Sequence, residues 1–299
     1  MTIQIGKHTL DGRFRHGTVG PGHATYVVVE LGINHNGSVE TAKRMIDVAA
    51  QCGAQAVKLQ KRTVDAIYTP EELAVPLAPG APNGWKTRGD YCHGRELSLE
   101  QHWELAAYAA NVGLDYSASA FDMEAFADVE LCAPAFHKVA SAMLTHLPLL
   151  RAIRSTGRPV LLSTGMSTLE QIDTAVAELR GSPLVLLHCV SAYPCPAPDL
   201  NLRVIETLRR RYDLPVGYSG HETGIAATLC AVVLGACVVE RHLTLDRSSW
   251  GSDHSASLEP DGLRRLVRDI RMYEAARGDG VKRVIESELP VMARLRKVG

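Results

Sequence analysis

Eight short apolar runs alternate with eight amphipathic segments along this chain. The runs end, at or just past their C-terminal edges, on residues able to handle an anion, a proton or a metal. They are 26–31 (YVVVEL), 55–59 (QAVKL), 115–119 (DYSAS), 136–140 (FHKVA), 160–163 (VLLS), 184–188 (LVLLH), 215–219 (PVGYS) and 237–242 (CVVERH). Strand followed by helix, repeated, specifies parallel βα units. Eight such units predict an α/β fold of the (β/α)8 TIM-barrel type, whose strand ends converge on one mouth and build the active site there. The residues at those ends are Glu30, Lys58, Ser119, Lys138, Ser163 with Thr164, His188, Ser219 with His221, and Glu240 with His242.

The intervening segments, 38–52, 98–112, 122–132, 145–155, 168–180, 201–211, 223–235 and 260–276, carry apolar residues at helical spacing. Ser98 with Gln101, Thr168 with Gln171, and Asp122 supply N-terminal caps. Gly53, Gly113, Gly157 and Gly235 fall where a left-handed residue stops a helix. The run 115–119 is the least strand-like, being short and polar. Ahead of the first core strand, an extension over 1–25 alternates weakly at Ile3 and Ile5 before a glycine-rich stretch, and reads as a short hairpin or plug. The connection 60–97 is too long for an ordinary βα loop and is expected to form a partly ordered lid. A closing helix is expected within 280–299, packed outside the barrel or at a subunit contact.

A chain of 299 residues with 46% hydrophobic content fits one barrel of about 250 residues better than two domains. Its net charge of −1 argues against nucleic acid and anionic membranes as partners, so any electropositive site must be local. No stretch approaches the roughly 18 apolar residues of a membrane span, and the N-terminus lacks the apolar core of an export signal. Seven cysteines without a CxxC pair point to reduced thiols and the cytoplasm.

Lys58 and Lys138 interrupt apolar strands, and an inward ammonium needs an anion or carboxylate to meet it. Together they suit a phosphate and a carboxylate; the rival role is a Schiff-base lysine. Glu30 is placed to move a proton or orient a hydroxyl, or else simply to pair with Lys58 on the next strand. Ser163-Thr164-Gly165-Met166 and Ser219-Gly220-His221 precede helices, where hydroxyls and loop N–H groups suit phosphate oxygens or act as ordinary caps. His221 and His242 lie one βα step apart, with Glu240 and Asp253 close by in sequence. Such a pair either fills the core or opens a site for a divalent ion, Mn²⁺ foremost with Co²⁺ or Mg²⁺ as alternatives, leaving His188 and His254 as reserve ligands.

At these residues the chain resembles the sialic acid synthase family, whose barrel is matched by ELGINHNG (30–37), AVKLQK (56–61), TVDAIYTPEEL (63–73), HKVAS (137–141), LLSTGM (161–166), LLHC with SAYP (186–194), GYSGHE (217–222) and VERHLTLDR with GSDHSASLEP (239–260). The resemblance implies a phosphoenolpyruvate-dependent condensation with the open-chain aldehyde of an N-acetylmannosamine-like or other modified aldose. It implies that His221 and His242 hold the metal, and that Lys58, Ser119, Lys138, Ser141, Ser163, Ser191, Tyr193 and Ser219 grip phosphoenolpyruvate. It assigns Glu30, Glu240 and Asp253 to the sugar and to proton movement. Ser119, Ser191 and Met143 stand where Thr, Asn and an acidic residue are common in the family. The resemblance covers the barrel without the antifreeze-like domain that usually follows it and swaps between subunits, so the lid is expected to supply a wall of the acceptor site, or the acceptor to differ. A homodimer is expected on base rates. The competing classes are a Schiff-base aldolase or lyase acting on a 2-keto acid, and a barrel without catalysis that serves as an assembly partner.

Overall fold

The computed structural model describes residues 2–11 and 24–296, so the glycine-rich stretch of the extension and the last three residues fall outside it. Two antiparallel strands, β1 (Thr2–Ile5) and β2 (His8–Asp11), form a hairpin. Eight parallel strands follow: β3 (Tyr26–Gly32), β4 (Ala56–Lys61), β5 (Asp115–Ala120), β6 (His137–Val139), β7 (Val160–Ser163), β8 (Leu184–Cys189), β9 (Val216–Gly220) and β10 (Val238–His242). Their order is β5-β4-β3-β10-β9-β8-β7-β6. Between β5 and β6 the ladder gives way to single bonds, Ala135 N–H to Tyr116 O (2.9 Å) and Ser117 Oγ to Phe136 O (2.7 Å), which bring the edges together. The molecule is the (β/α)8 barrel that the alternating pattern predicts.

The pleat, with its period of two, sorts each strand into an inward and an outward row. At the bottom of the barrel the inward row is apolar: Tyr26, Val28, Ala56, Phe136, Leu161, Val185, Leu187 and Val238 pack with Ile3, Ile5 and Leu10 of the hairpin. The hairpin is thus a plug, as its alternation implied. Two residues further along each strand the same row turns polar, and there the chemistry lies. The outward row, including Val27, Val29, Val57 and Val239, packs against the surrounding helices.

Those helices are α1 (Val39–Gln51), α5 (Leu99–Asn111), α6 (Met123–Leu131), α7 (Leu147–Ser155), α8 (Leu169–Glu178), α9 (Val204–Tyr212), α10 (Ala226–Val233) and α11 (Pro260–Ala276). Ser98 and Thr168 form capping boxes with Gln101 and Gln171, and Asp122 accepts from the Ala125 N–H. Helices α9 and α10 start about three residues later than their apolar spacing suggests, because Asn201 and Gly224 take left-handed backbone (φ 41° and 83°). Strand β5, polar as it reads, is buried along most of its length, since its serines face the barrel interior.

The long connection contains three short helices, α2 (Val64–Ile67), α3 (Pro70–Leu73) and α4 (Arg88–Arg95). The closing helix is shorter than expected: α12 spans Leu289–Leu295 after a single 3-10 turn at Glu286–Glu288. Val281, Val284, Ile285, Leu289, Val291 and Leu295 in this segment are exposed. No helix among the described residues is long and apolar enough to cross a membrane.

Candidate active site

At the C-terminal mouth a cavity of about 220 Å³ is lined by Glu30, Lys58, Gln60, Ser119, Phe121, Lys138, Ala140, Ser141, Ala142, Ser163, Met166, Cys189, Ser191, Tyr193, Ser219, His221, Glu240 and His242. Every residue that the resemblance assigns to phosphoenolpyruvate or the metal is in that lining, and so are Glu30 and Glu240. Asp253 is not; it stands behind His242, its Oδ2 3.7 Å from Nδ1. Met143 is buried in the core outside the cavity, so the loss of an acidic group at that position leaves the lining itself unaltered.

Two buried ion pairs form the floor. Lys58 Nζ lies 2.6 Å from Glu30 Oε2 and donates to Ser119 Oγ at 3.0 Å. Lys138 Nζ lies 3.1 Å from Glu240 Oε1, which also accepts from Ser219 Oγ at 3.1 Å. The two carboxylates are driven apart in acidity. Burial, with Glu240 nearby, raises Glu30 to about 7 against the pull of Lys58. Burial works the same way on Glu240, but Lys138, Lys58 and His242 outweigh it and hold that carboxyl below the usual range. Two carboxyl groups separated in this way divide acid–base work from charge holding.

Opposite, Gly165 forms a cradle. Its N–H donates to Ser141 Oγ at 3.1 Å. A β-carbon at this position would lie 2.6 Å from Ser191 Oγ and 2.7 Å from Ser141 Oγ. An N–H and two hydroxyls converging on bare backbone suit an anion's oxygens. Ser163 Oγ, buried beneath them, has no hydrogen-bond partner. Thr164 turns away and donates to Leu187 O.

The imidazoles of His221 and His242 are neighbours, with ring centroids 5.4 Å apart, and Tyr193 stacks 4.0 Å from His221. His221 Nδ1 bonds Val190 O at 2.8 Å, which fixes that nitrogen as the donor and leaves Nε2 with a lone pair. Burial depresses His242 to about 4, so it is neutral, and its Nδ1 has no hydrogen-bond partner. Two adjacent, buried imidazoles fit a divalent cation that takes its remaining ligands from water and substrate oxygens. Among the described residues no group of three or more His, Cys, Asp or Glu is placed to hold a metal, so the protein's share would be these two rings. The reserve ligands fall away: His188 Nε2 bonds Leu200 O at 2.7 Å on the outward row, and His254 Nδ1 bonds Thr244 Oγ1 at 2.7 Å.

Gln60, Phe121 and Cys189 were not anticipated. Gln60 Nε2 donates to Glu30 Oε1 at 2.8 Å, and its Oε1 accepts from Arg62. Arg62 in turn stacks 4.2 Å from Phe121 and pairs with Glu96 at 3.1 Å, linking the end of the 60–97 connection to the floor of the cavity. Tyr91 of α4 meets Trp250 edge-on at 4.9 Å, so α4 is held by the loop after β10.

A barrel with paired lysines, carboxylates and histidines at its mouth defines an enzyme, and comparison with known proteins gives its kind. The NeuB family matches residues 45–282. N-acetylneuraminate-9-phosphate synthase of Homo sapiens is 40% identical over 93% of this chain and 78% of its own length. N,N'-diacetyllegionaminic acid synthase of Campylobacter jejuni is 34% identical over 91% of this chain and 83% of its own. The crystal structure of N-acetylneuraminic acid (sialic acid) synthetase from Leptospira borgpetersenii superposes with a TM-score of 0.82 at 28% identity, covering 100% of this chain and 98% of that one. The chain belongs to the NeuB family and is a carbon–carbon bond-forming transferase of the sialic and nonulosonic acid synthase type.

Proposed function

We propose that this enzyme condenses phosphoenolpyruvate with the open-chain aldehyde of a modified aldose, giving a 2-keto-3-deoxy sugar acid and inorganic phosphate. The observation that carries this reading is the presence, in one cavity, of two lysine–glutamate pairs and two adjacent imidazoles. Lys58, Lys138, Ser119, Ser163, Ser219 and Tyr193 hold the carboxylate and phosphate of phosphoenolpyruvate, with Ser141, Ser191 and the Gly165 N–H forming the phosphate cradle. His221 and His242 hold a divalent cation, Mn²⁺ foremost and Co²⁺ or Mg²⁺ as alternatives, which supplies Lewis acidity toward the aldehyde oxygen. C3 of phosphoenolpyruvate bonds to the aldehyde carbon, water adds at C2, and the C2–O bond to phosphate then breaks. Glu30, poised near neutrality, moves the proton; Glu240 stays ionised and fixes Lys138. Asp253, beside His242, meets the sugar's hydroxyls at the edge of the cavity, and the 60–97 segment forms the lid and outer wall.

The names of the human and Campylobacter relatives support an N-acetylated mannosamine or a related amino sugar as acceptor. Seven cysteines with no disulfide among the described residues support a reducing cytoplasm as its place of work, and the exposed apolar residues from Val281 to Leu295 support a homodimer, which sedimentation velocity tests.

Isothermal titration with phosphoenolpyruvate and Mn²⁺, followed by phosphate release on adding candidate aldoses, tests the reaction. Absence of phosphoenolpyruvate binding with metal present ends it. A Schiff-base lyase is disfavoured because both ammonium groups are ion-paired. Borohydride treatment with pyruvate is therefore expected to leave Lys58 and Lys138 unmodified.

A further inference from the structure

The ladder joining β9 to β10 ends at the pair Arg241–Gly220. His221 and His242 each lie one residue beyond it, so that ladder does not set their separation. Each is anchored to its other neighbour instead. His242 pairs in register with Glu30 of β3, while the His221 carbonyl accepts from Cys195 N–H at 3.0 Å.

What ties the two together lies on the opposite face of the same strands. Arg241, 1% exposed, reaches under the loop after β9 and donates to Glu222 O (2.6 Å), Gly224 O (2.8 Å), Glu222 Oε1 (2.9 Å) and Thr228 Oγ1 (2.8 Å). Glu222, itself buried, also accepts from Tyr218 OH at 2.8 Å and Thr228 Oγ1 at 2.5 Å. Gly220 is required here, since a β-carbon would collide with Glu222 Oε2 and with the Tyr218 ring. The neighbours in sequence of the two histidines thus form a fork that continues the β9–β10 connection where the backbone ladder stops. Fold stability alone does not call for it, because well-packed apolar residues often replace a buried ion pair without loss.

We propose that Arg241 and Glu222 are positioning residues that set the spacing of imidazoles 221 and 242 and thereby the affinity of the site for a divalent cation. This rests on the metal reading of the preceding subsection. The device acts through backbone carbonyls, so charge alone is not sufficient: a lysine ammonium at 241 cannot serve Glu222 O and Gly224 O together with the side chains of Glu222 and Thr228.

The test is Mn²⁺ binding to the full chain, read from the electron paramagnetic resonance signal of free Mn²⁺, for wild type, R241K and the double variant E222Q/R241M. In the double variant the amide introduced at position 222 accepts from one of the Tyr218 and Thr228 hydroxyls through its oxygen and donates to the other through its NH2, while the thioether side chain introduced at position 241 fills the space, so no buried charge is left unpaired. Both variants are expected to keep the wild-type circular dichroism spectrum and to bind Mn²⁺ about 10–100-fold more weakly, the range for partners outside the ligands themselves. Saturating Mn²⁺ is expected to restore most of kcat. A folded variant whose Mn²⁺ dissociation constant stays within about twofold of wild type overturns the proposal. Should the double variant fail to fold, R241K carries the same criterion. Wild type that binds no Mn²⁺ overturns the metal reading, and this proposal with it.

Discussion

Glu30 and Lys58 occupy the same register on neighbouring strands, and their side chains meet at 2.6 Å with almost no exposure to solvent. The pair keeps a carboxyl near pH 7 in acidity, because burial and Glu240 push it up while Lys58 pulls it back. A group so poised passes protons in either direction at neutral pH. Replacing Glu30 with Gln is expected to lower kcat roughly 10²–10⁴-fold. Phosphoenolpyruvate affinity should change far less, and the inflection near pH 7 should disappear from the residual rate profile. Steady-state kinetics across pH 5.5–8.5 on both proteins checks this; an E30Q enzyme with the wild-type profile would falsify the assignment.

The phosphate cradle makes a sharper demand on shape than on charge. Gly165 is the point on which the Ser141 and Ser191 hydroxyls converge. G165A drives a methyl group into the Ser141 and Ser191 hydroxyls and must push them out of their converging arrangement. The variant is expected to weaken phosphoenolpyruvate binding by about 10-fold or more, equivalent to at least ~1.4 kcal/mol, while Mn²⁺ binding is retained. Calorimetric titrations of the two ligands separate these effects, and unchanged phosphoenolpyruvate affinity would place the phosphate elsewhere in the cavity.

Much of this site was readable from the strand ends, because a barrel interior is filled by alternate residues and polar ones there have few bland explanations. Reading the ends as runs rather than as pleats cost two positions. His188 closes the run LVLLH, yet Leu187 faces inward, so the next inward position belongs to Cys189. Cys189 lies against His221 (3.9 Å) and Ser141 (3.6 Å), whereas as a letter in the sequence it reads as a small core residue. The parity of the pleat was the signal that distinguishes them, and it also marks Gln60, two residues past Lys58. The lid was legible only as a long connection. Its helices are too short to show periodicity, and their signatures are the capping boxes Thr69–Glu72 and Thr87–Asp90. Asp253 comes to His242 through a loop whose path no local pattern specifies.

The proposed lid packs tightly at a glycine. A β-carbon on Gly94 would lie 2.5 Å from the indole of Trp85, which itself rests on Tyr91 at 5.6 Å. G94A must therefore displace Trp85 and loosen the contact of Tyr91 with Trp250. The expected result is a KM for the aldose raised about 10-fold, or ~1.4 kcal/mol, with the KM for phosphoenolpyruvate nearly unchanged, since its contacts lie on the barrel strands below. Equal increases in both constants would show that the lid serves the whole site rather than the acceptor.

Acid should weaken the fold through its buried neutral histidines, among them two outside the imidazole pair. His102 Nδ1 meets the Tyr116 hydroxyl at 2.5 Å, and His35 Nδ1 accepts from the Gly37 N–H at 3.1 Å. Both are buried and neutral, with burial lowering His102 to about 3 and His35 to about 4. In the unfolded chain each titrates near 6.5, so between that value and the folded one the unfolded state binds more protons. Stability is therefore complete above about pH 6.5 and falls as pH drops, by about 1.4 kcal/mol per pH unit for each histidine until the folded value is reached. Urea midpoints measured from pH 7.5 to 4.5 should show this slope. H102Q, which keeps an acceptor for Tyr116 but cannot titrate, should remove one histidine's share of it, about 1.4 kcal/mol per pH unit; a slope unaltered by that substitution would mean that other groups govern acid unfolding.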